Sequence, residues 1–148
     1  MQSALVANIK TAAEIAGFTR PRLAAAIHRR TFHPERPTRA RVAREFTPTD
    51  VVRLAAVNAL SRMGLPLAQA DQAAAAITLP VKPDSALAVT TAGARVHAEV
   101  VSAGALPLLA RKGVIALDLP HLAARVLAAL EARSGRAAPA LVIPGAPE

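Results

Sequence analysis

The residues with the clearest chemical potential are arginines. Between Arg20 and Arg44 there are eight of them (20, 22, 29, 30, 36, 39, 41 and 44) and no lysine. A guanidinium is a planar, permanently charged fork of N–H donors. It matches a phosphate oxygen pair or the edge of guanine better than an ammonium point charge does. His28 and His33 lie in the same stretch. Repeated phosphate and base-edge contacts are the chemistry this cluster suits best.

The alternatives are poorly supported. The chain has no cysteine, which removes thiolate metal sites, disulfides and cysteine nucleophiles together. The histidines at 28, 33, 97 and 121 have no metal-ligand spacing. Asp118 with His121 reads as a helix start rather than an acid–base pair. Ser61, Ser85 and Ser102 lack a nucleophile-elbow context, and no glycine loop is built to cradle a phosphate. The sequence therefore predicts a protein that is not an enzyme, with no cofactor and no metal.

Charge is unevenly placed. Of the net +8, residues 1–64 carry +7, from eleven basic against four acidic side chains. Residues 65–148 carry +1, from seven against six. A local basic excess of this size points to a polyanion partner. Only three aromatic residues are present, all phenylalanine, and alanine dominates the apolar content. The core must therefore be thin and closely packed, with Leu, Ile and Val supplying most of the burial energy. The N-terminal MQSALVANIK does not read as a secretory signal, and no apolar run approaches the roughly 20 residues of a membrane span. The expected setting is cytoplasmic and nucleoid-associated, away from membranes.

The elements that must position these arginines follow from caps and periodicity. Thr11 and Glu14 have capping-box spacing and predict the start of a first helix, which Gly17 ends. Phe18 reads as the apolar plug of a turn. Thr19 is an N-cap, followed by Pro21 in the first turn of a second helix over residues 20–30, with Leu23, Ala26 and Ile27 inward. Residues 31–46 hold two prolines and four arginines and read as either a disordered linker or a basic β-wing; Val42 and Phe46 as anchors to the core favour the wing. Thr47, Pro48 and Asp50 open a third helix with Val51, Leu54, Ala55, Val57 and Leu60 as its apolar face and Met63 near its end; Asn58 interrupts that face and is expected to be half buried. Gly64 is placed as its left-handed terminator. A fourth helix is predicted over about residues 67–77.

The remainder changes character. Residues 79–84 read as a linker. Ala86–Thr91 and Arg95–Ser102 predict a hairpin around Ala92-Gly93-Ala94. Leu106–Arg111 predicts one or two helical turns, Val114–Leu117 a short strand, and Leu119–Ala132 an amphipathic helix with Leu122, Val126, Leu127 and Leu130 inward. The fold class is mostly α with a small β component. A winged helix-turn-helix of four helices plus a basic wing (residues 1–78) precedes a small α+β module of hairpin, short strand and C-terminal helix (residues 85–134). Residues 135–148, with prolines at 139, 144 and 147, read as a disordered tail.

Thr11 to about Ile77 resembles the DNA-binding domain of the MerR-like winged-helix superfamily. The matching pieces are the Gly17-Phe18-Thr19 turn, Leu23, Pro34, Arg44-Glu45-Phe46-Thr47, Asp50-Val51, Leu54 and Gly64-Leu65-Pro66-Leu67. The resemblance implies that the second helix enters the major groove and that the segment from Arg36 to Arg44 reaches the flanking backbone. On that basis Arg20 and Arg22 approach base edges. Arg29, Arg36, Arg39 and Arg41 are placed as phosphate contacts, His28 contacts phosphate or is simply exposed, Arg30 is counted among the DNA-binding residues, and Arg44 contacts phosphate or braces the wing. The sequence departs from the family where members carry a Thr-Leu-Arg-Tyr-Tyr-like core in the recognition helix; here it is Arg22-Leu23-Ala24-Ala25-Ala26. The long dimerisation helix and the metal-sensing cysteines are missing too. The chain looks more like the small, divergent winged-helix proteins of phage-derived gene clusters.

The expected function is double-stranded DNA binding as a transcription regulator of phage or mobile-element origin. The small C-terminal module is expected to form a homodimer through residues 85–134 or to contact RNA polymerase or a phage motor protein; the alternative is that it simply packs on the N-terminal domain. Two further readings are a phage-type small terminase or packaging recognition subunit, and an adaptor whose basic segment binds an acidic protein.

Overall fold

Two glycine turns set the helical layout. The computed structural model describes residues 6–29, 32–34, 45–109 and 114–134. Helix α1 (Ile9–Ala16) ends at Gly17, which has φ +88°. The Phe18 N–H turns back to the Ala13 carbonyl at 2.8 Å. Helix α2 (Arg20–His28) then starts under the Thr19 cap, whose Oγ1 accepts from the Arg22 N–H at 3.3 Å. A left-handed residue is the usual way to stop one helix and redirect the chain, and glycine adopts it without a Cβ clash.

The start of α1 differs from the sequence expectation. Asn8, not Thr11, is the cap, and its Oδ1 accepts the Thr11 N–H at 2.8 Å. Thr11 lies inside the first turn. Asparagine is as good a cap as threonine, and using it lengthens α1 upstream. Glu14 is thereby released from capping and bonds Arg133 of the last helix. That hydrogen bond, reinforced by the charges of Arg133 and Lys10 and opposed by desolvation, lowers the Glu14 pKa below its ordinary value.

Helix α3 (Pro48–Arg62) opens on the expected capping box. Asp50 N–H donates to Thr47 Oγ1 at 3.1 Å, and Asp50 Oδ2 accepts the Thr47 N–H at 3.0 Å. Its far end closes in a Schellman arrangement: Leu65 N–H bonds the Leu60 carbonyl, Gly64 N–H bonds that of Ser61, and Gly64 has φ +104°. Val51, Leu54, Ala55, Val57 and Leu60 are buried as read, while Met63 is exposed. Asn58 is a second correction: it is buried, not half buried. It lies against Gly17, where a Cβ would come within 2.7 Å of Asn58 Nδ2. The missing Gly17 side chain is what admits the amide.

Helix α4 (Leu67–Ala74) stops three residues short of the expected end. Arg53 explains how. Its Nε and Nη2 donate to the Ile77 carbonyl at 3.0 and 2.8 Å, and Nη2 to that of Ala75 at 3.4 Å. A guanidinium thus satisfies carbonyls that the helix leaves open. Beyond it, Val81 in the segment 79–84 is buried.

The C-terminal residues form a three-stranded antiparallel sheet in the order β2-β1-β3. Strands β1 (Ser85–Ala92) and β2 (Arg95–Ser102) make the hairpin, with Ala92 opposite Arg95 and Gly93 at φ +62° in the turn. Strand β3 (Ile115–Asp118) pairs with the other side of β1, Leu87 facing Leu117. A 3-10 turn (Ala103–Ala105) and α5 (Leu106–Leu109) lie between them. Helix α6 (Leu119–Ser134) buries Leu119, Leu122, Val126 and Leu130, and half buries Leu127. It packs on α1, α3 and the sheet. Leu87, Val89 and Leu117 of the sheet belong to the same buried cluster as Phe18, Leu23, Phe46 and Leu54. The fold is mostly α with a small β part, as the sequence predicts. Residues 135–148, read as a tail, lie outside the described residues.

Candidate nucleic-acid interface

Helix α2 is held from one side only. Leu23 is fully buried and Ala26 nearly so, and Ile27 is half buried against the same cluster. Phe32 is buried just past the helix, with its N–H on the Ala26 carbonyl at 3.3 Å, which ties the exit of α2 to the core. The opposite side is open: Arg20, Pro21, Arg22, His28 and Arg29 are all exposed. Arg22, Ala25 and Arg29 follow one another at spacings of three and four and so share one stripe of the helix. His28 sits beside that stripe, and Arg20 at the N-terminal tip.

Arg22 has a fixed platform. Its guanidinium carbon lies 4.7 Å from the centroid of the Phe18 ring. Phe18 is buried, so the stack holds the guanidinium at the helix-turn-helix corner at low entropic cost. A stacked guanidinium keeps its in-plane N–H donors directed sideways, the geometry needed to reach a phosphate or a guanine edge.

Sequence reasoning missed one basic side chain near this corner. The Arg62 Nη2, from the end of α3, lies 4.0 Å from the position a Gly17 Cβ would take, and Arg62 is exposed. It extends the basic surface onto the turn between α1 and α2. Only its place in the last turn of α3 was visible in the sequence, and that reads as a favourable cation at a helix C-terminus. Arg53 is also basic, but its donors are committed to Ala75 and Ile77. His33, outside α2, has its Nδ1 at 2.7 Å from Asp71 Oδ2 of α4. It therefore fastens the chain after α2 to the domain.

Arg30, Arg36, Arg39, Arg41 and Arg44, and with them Val42, lie outside the described residues. The downstream anchor of that segment is described. Phe46 is fully buried and makes an antiparallel bridge to Ala7, with N–H to carbonyl distances of 2.8 and 2.9 Å. Both flanks of the basic segment, Phe32 and Phe46, are thus seated in the core. Among the described residues there is no cluster of three or more His, Asp or Glu side chains that could hold a metal. No helix among them is long and apolar enough to cross a membrane.

An exposed basic stripe on a cap-started helix that follows a glycine turn is a surface suited to a polyanionic duplex. Residues 7–77 match the family model described as MerR HTH family regulatory protein. No curated protein matches the chain.

Proposed function

We propose that this chain, whose residues 7–77 form a MerR-like helix-turn-helix DNA-binding domain, is a transcription regulator of phage or mobile-element type. It binds double-stranded DNA with α2 in the major groove. The observation that carries this reading is the one-sided burial of α2, with Leu23 and Ala26 inside and Arg20, Arg22, His28 and Arg29 outside.

Arg20 and Arg22 begin the helix and approach base edges, where a bidentate arginine favours guanine. Arg29 and His28, a turn or two further on, meet the phosphates, as do Arg30, Arg36, Arg39, Arg41 and Arg44 of the following segment. The half-buried Ala24 and Ala25 leave the middle of the helix smooth. A smooth surface lets the backbone approach the groove floor and offers methyl contacts to thymine, but no hydrogen bonds. Specificity on this reading comes from the two terminal arginines. Residues 85–134 join two copies, so that two recognition helices address one site.

The test is selection of bound duplexes from a random pool, followed by titration of the enriched site and of random duplex. Arg20→Ala and Arg22→Ala should lose affinity mainly for the enriched site, by roughly 1–3 kcal/mol. Arg39→Ala should weaken both duplexes alike and reduce the salt slope by about 1. Equal losses on both duplexes for every variant would end the base-reading role of Arg20 and Arg22.

A further inference from the structure

Strand β2 is an edge. Strand β1 covers one side of it, and among the described residues no strand pairs with the other. An eight-residue edge without proline or bulge is a ready template for another strand. It also carries Val100, one of the few large apolar side chains exposed in the described part, at 42%. Val96, Ala98 and Val100 oppose Thr91, Val89 and Leu87, so they share the sheet face that meets the helices. Arg95, His97, Glu99 and Val101 lie on the other face.

We infer that β2 pairs antiparallel with β2 of a second copy, about a two-fold axis through Ala98. This names the surface of the dimer proposed above and rests on that reading. The choice of axis is dictated by side chains. A two-fold perpendicular to the sheet preserves its faces, so the axis must pass through a residue and not between two. Through His97, that histidine would oppose its own copy and Val100 would meet Ala94 in the hairpin turn. Through Glu99, two carboxylates would face each other. Through Ala98, Val96 opposes Val100 of the second copy and covers it. His97 then opposes Glu99 of the second copy, with Arg95 diagonal to the same carboxylate. Each contact occurs twice.

The product is a continuous six-stranded sheet, β3-β1-β2 followed by β2-β1-β3 of the second copy. Leu87, Val89 and Leu117 bind the helical layer to one face of each half. The two-fold therefore keeps both helix-turn-helix domains on the same side of the sheet, as a single duplex requires.

Sedimentation equilibrium and light scattering on the full chain test this pairing. The wild type should be a dimer. Glu99→Lys, which puts a cation against His97 and Arg95, should weaken it about 10-fold or more, because the change enters the interface twice. His97→Glu added to Glu99→Lys should restore it. Val100→Lys should weaken it as well. Ala98→Cys supplies the chain's sole cysteine. At the axis its Cα should lie about 4.5–5.5 Å from its copy, within disulfide range, so mild oxidation should cross-link it. His121→Cys on α6 should not cross-link. A wild-type monomer at high concentration would overturn both the pairing and the dimer. A dimer indifferent to Glu99→Lys and Val100→Lys, with no Ala98→Cys disulfide, would overturn the strand pairing alone.

Discussion

Gly17→Ala tests how the helix-turn-helix corner is built. Two costs add at this position. With φ at +88°, any L-residue is forced into left-handed backbone, which costs about 1–2 kcal/mol. The new Cβ would also arrive 2.7 Å from Asn58 Nδ2, far inside van der Waals contact. Asn58 is buried, so its amide has little room to move, and displacing it from its surroundings costs a further 1–2 kcal/mol or so. The expected loss is about 2–4 kcal/mol by urea denaturation, or roughly 3 °C of Tm per kcal/mol for a chain of this size. Gly93→Ala is the control. Its φ is +62°, yet a Cβ there meets nothing within 4 Å, so only the backbone cost of about 1–2 kcal/mol applies. Asn58→Ala removes the clashing atoms. Gly17→Ala combined with Asn58→Ala should therefore lose about 1 kcal/mol less than the sum of the two single losses. If Gly17→Ala costs no more than Gly93→Ala, and the double variant is additive, the close approach of Asn58 to the turn is refuted.

Other consequences separate stability from binding. Arg53→Ala should destabilise the fold by about 1.5–3 kcal/mol, because the carbonyls of Ala75 and Ile77 lose a charged donor, while the DNA affinity of the folded protein stays unchanged. Arg62→Ala should do the reverse: its guanidinium lies beside the Gly17 turn, so Tm should hold while affinity for any duplex falls and the salt slope decreases by about 1. The Glu14–Arg133 pair makes an acid-side prediction. The folded-state pKa of Glu14 is lowered, chiefly by the Arg133 hydrogen bond, so its contribution is full above the ordinary carboxylate value and is lost as pH falls through the lowered one. The Tm difference between wild type and Arg133→Ala should accordingly shrink as a pH series enters that range, and a difference that grows in acid would contradict the assignment.

What the sequence disclosed was local, and what it hid was mostly long-range. Thr19, Thr47 with Asp50, and Gly64 act within a few residues of themselves, and each does what its type and spacing imply. The strands of the hairpin were legible for the same reason, since alternation and the Gly93 turn are local signals. Thr11 misled because Thr11 and Glu14 imitate a capping box, while Asn8 was equally competent three residues earlier. Asn58 misled because its burial depends on a glycine 41 positions away. The partners of Arg53, His33 and Glu14 lie 24, 38 and 119 residues off, and no periodicity encodes such pairs. In the candidate interface, the outward placement of Arg20, Arg22, His28 and Arg29 followed from helical spacing. The Phe18 platform under Arg22 and the approach of Arg62 to the turn follow only from the packing of α1, α2 and α3.

The proposed function places duplex DNA on the exposed stripe of α2. Its most direct test is the salt dependence of duplex binding by the wild type and by Arg22→Ala/Arg29→Ala, measured by fluorescence anisotropy on one labelled duplex. Wild type should bind with an affinity that falls linearly in log–log form as salt rises, and the double variant should bind more weakly with a slope smaller by about 2. A double variant with wild-type affinity and slope, or a wild type that binds no duplex even at low salt, would contradict it.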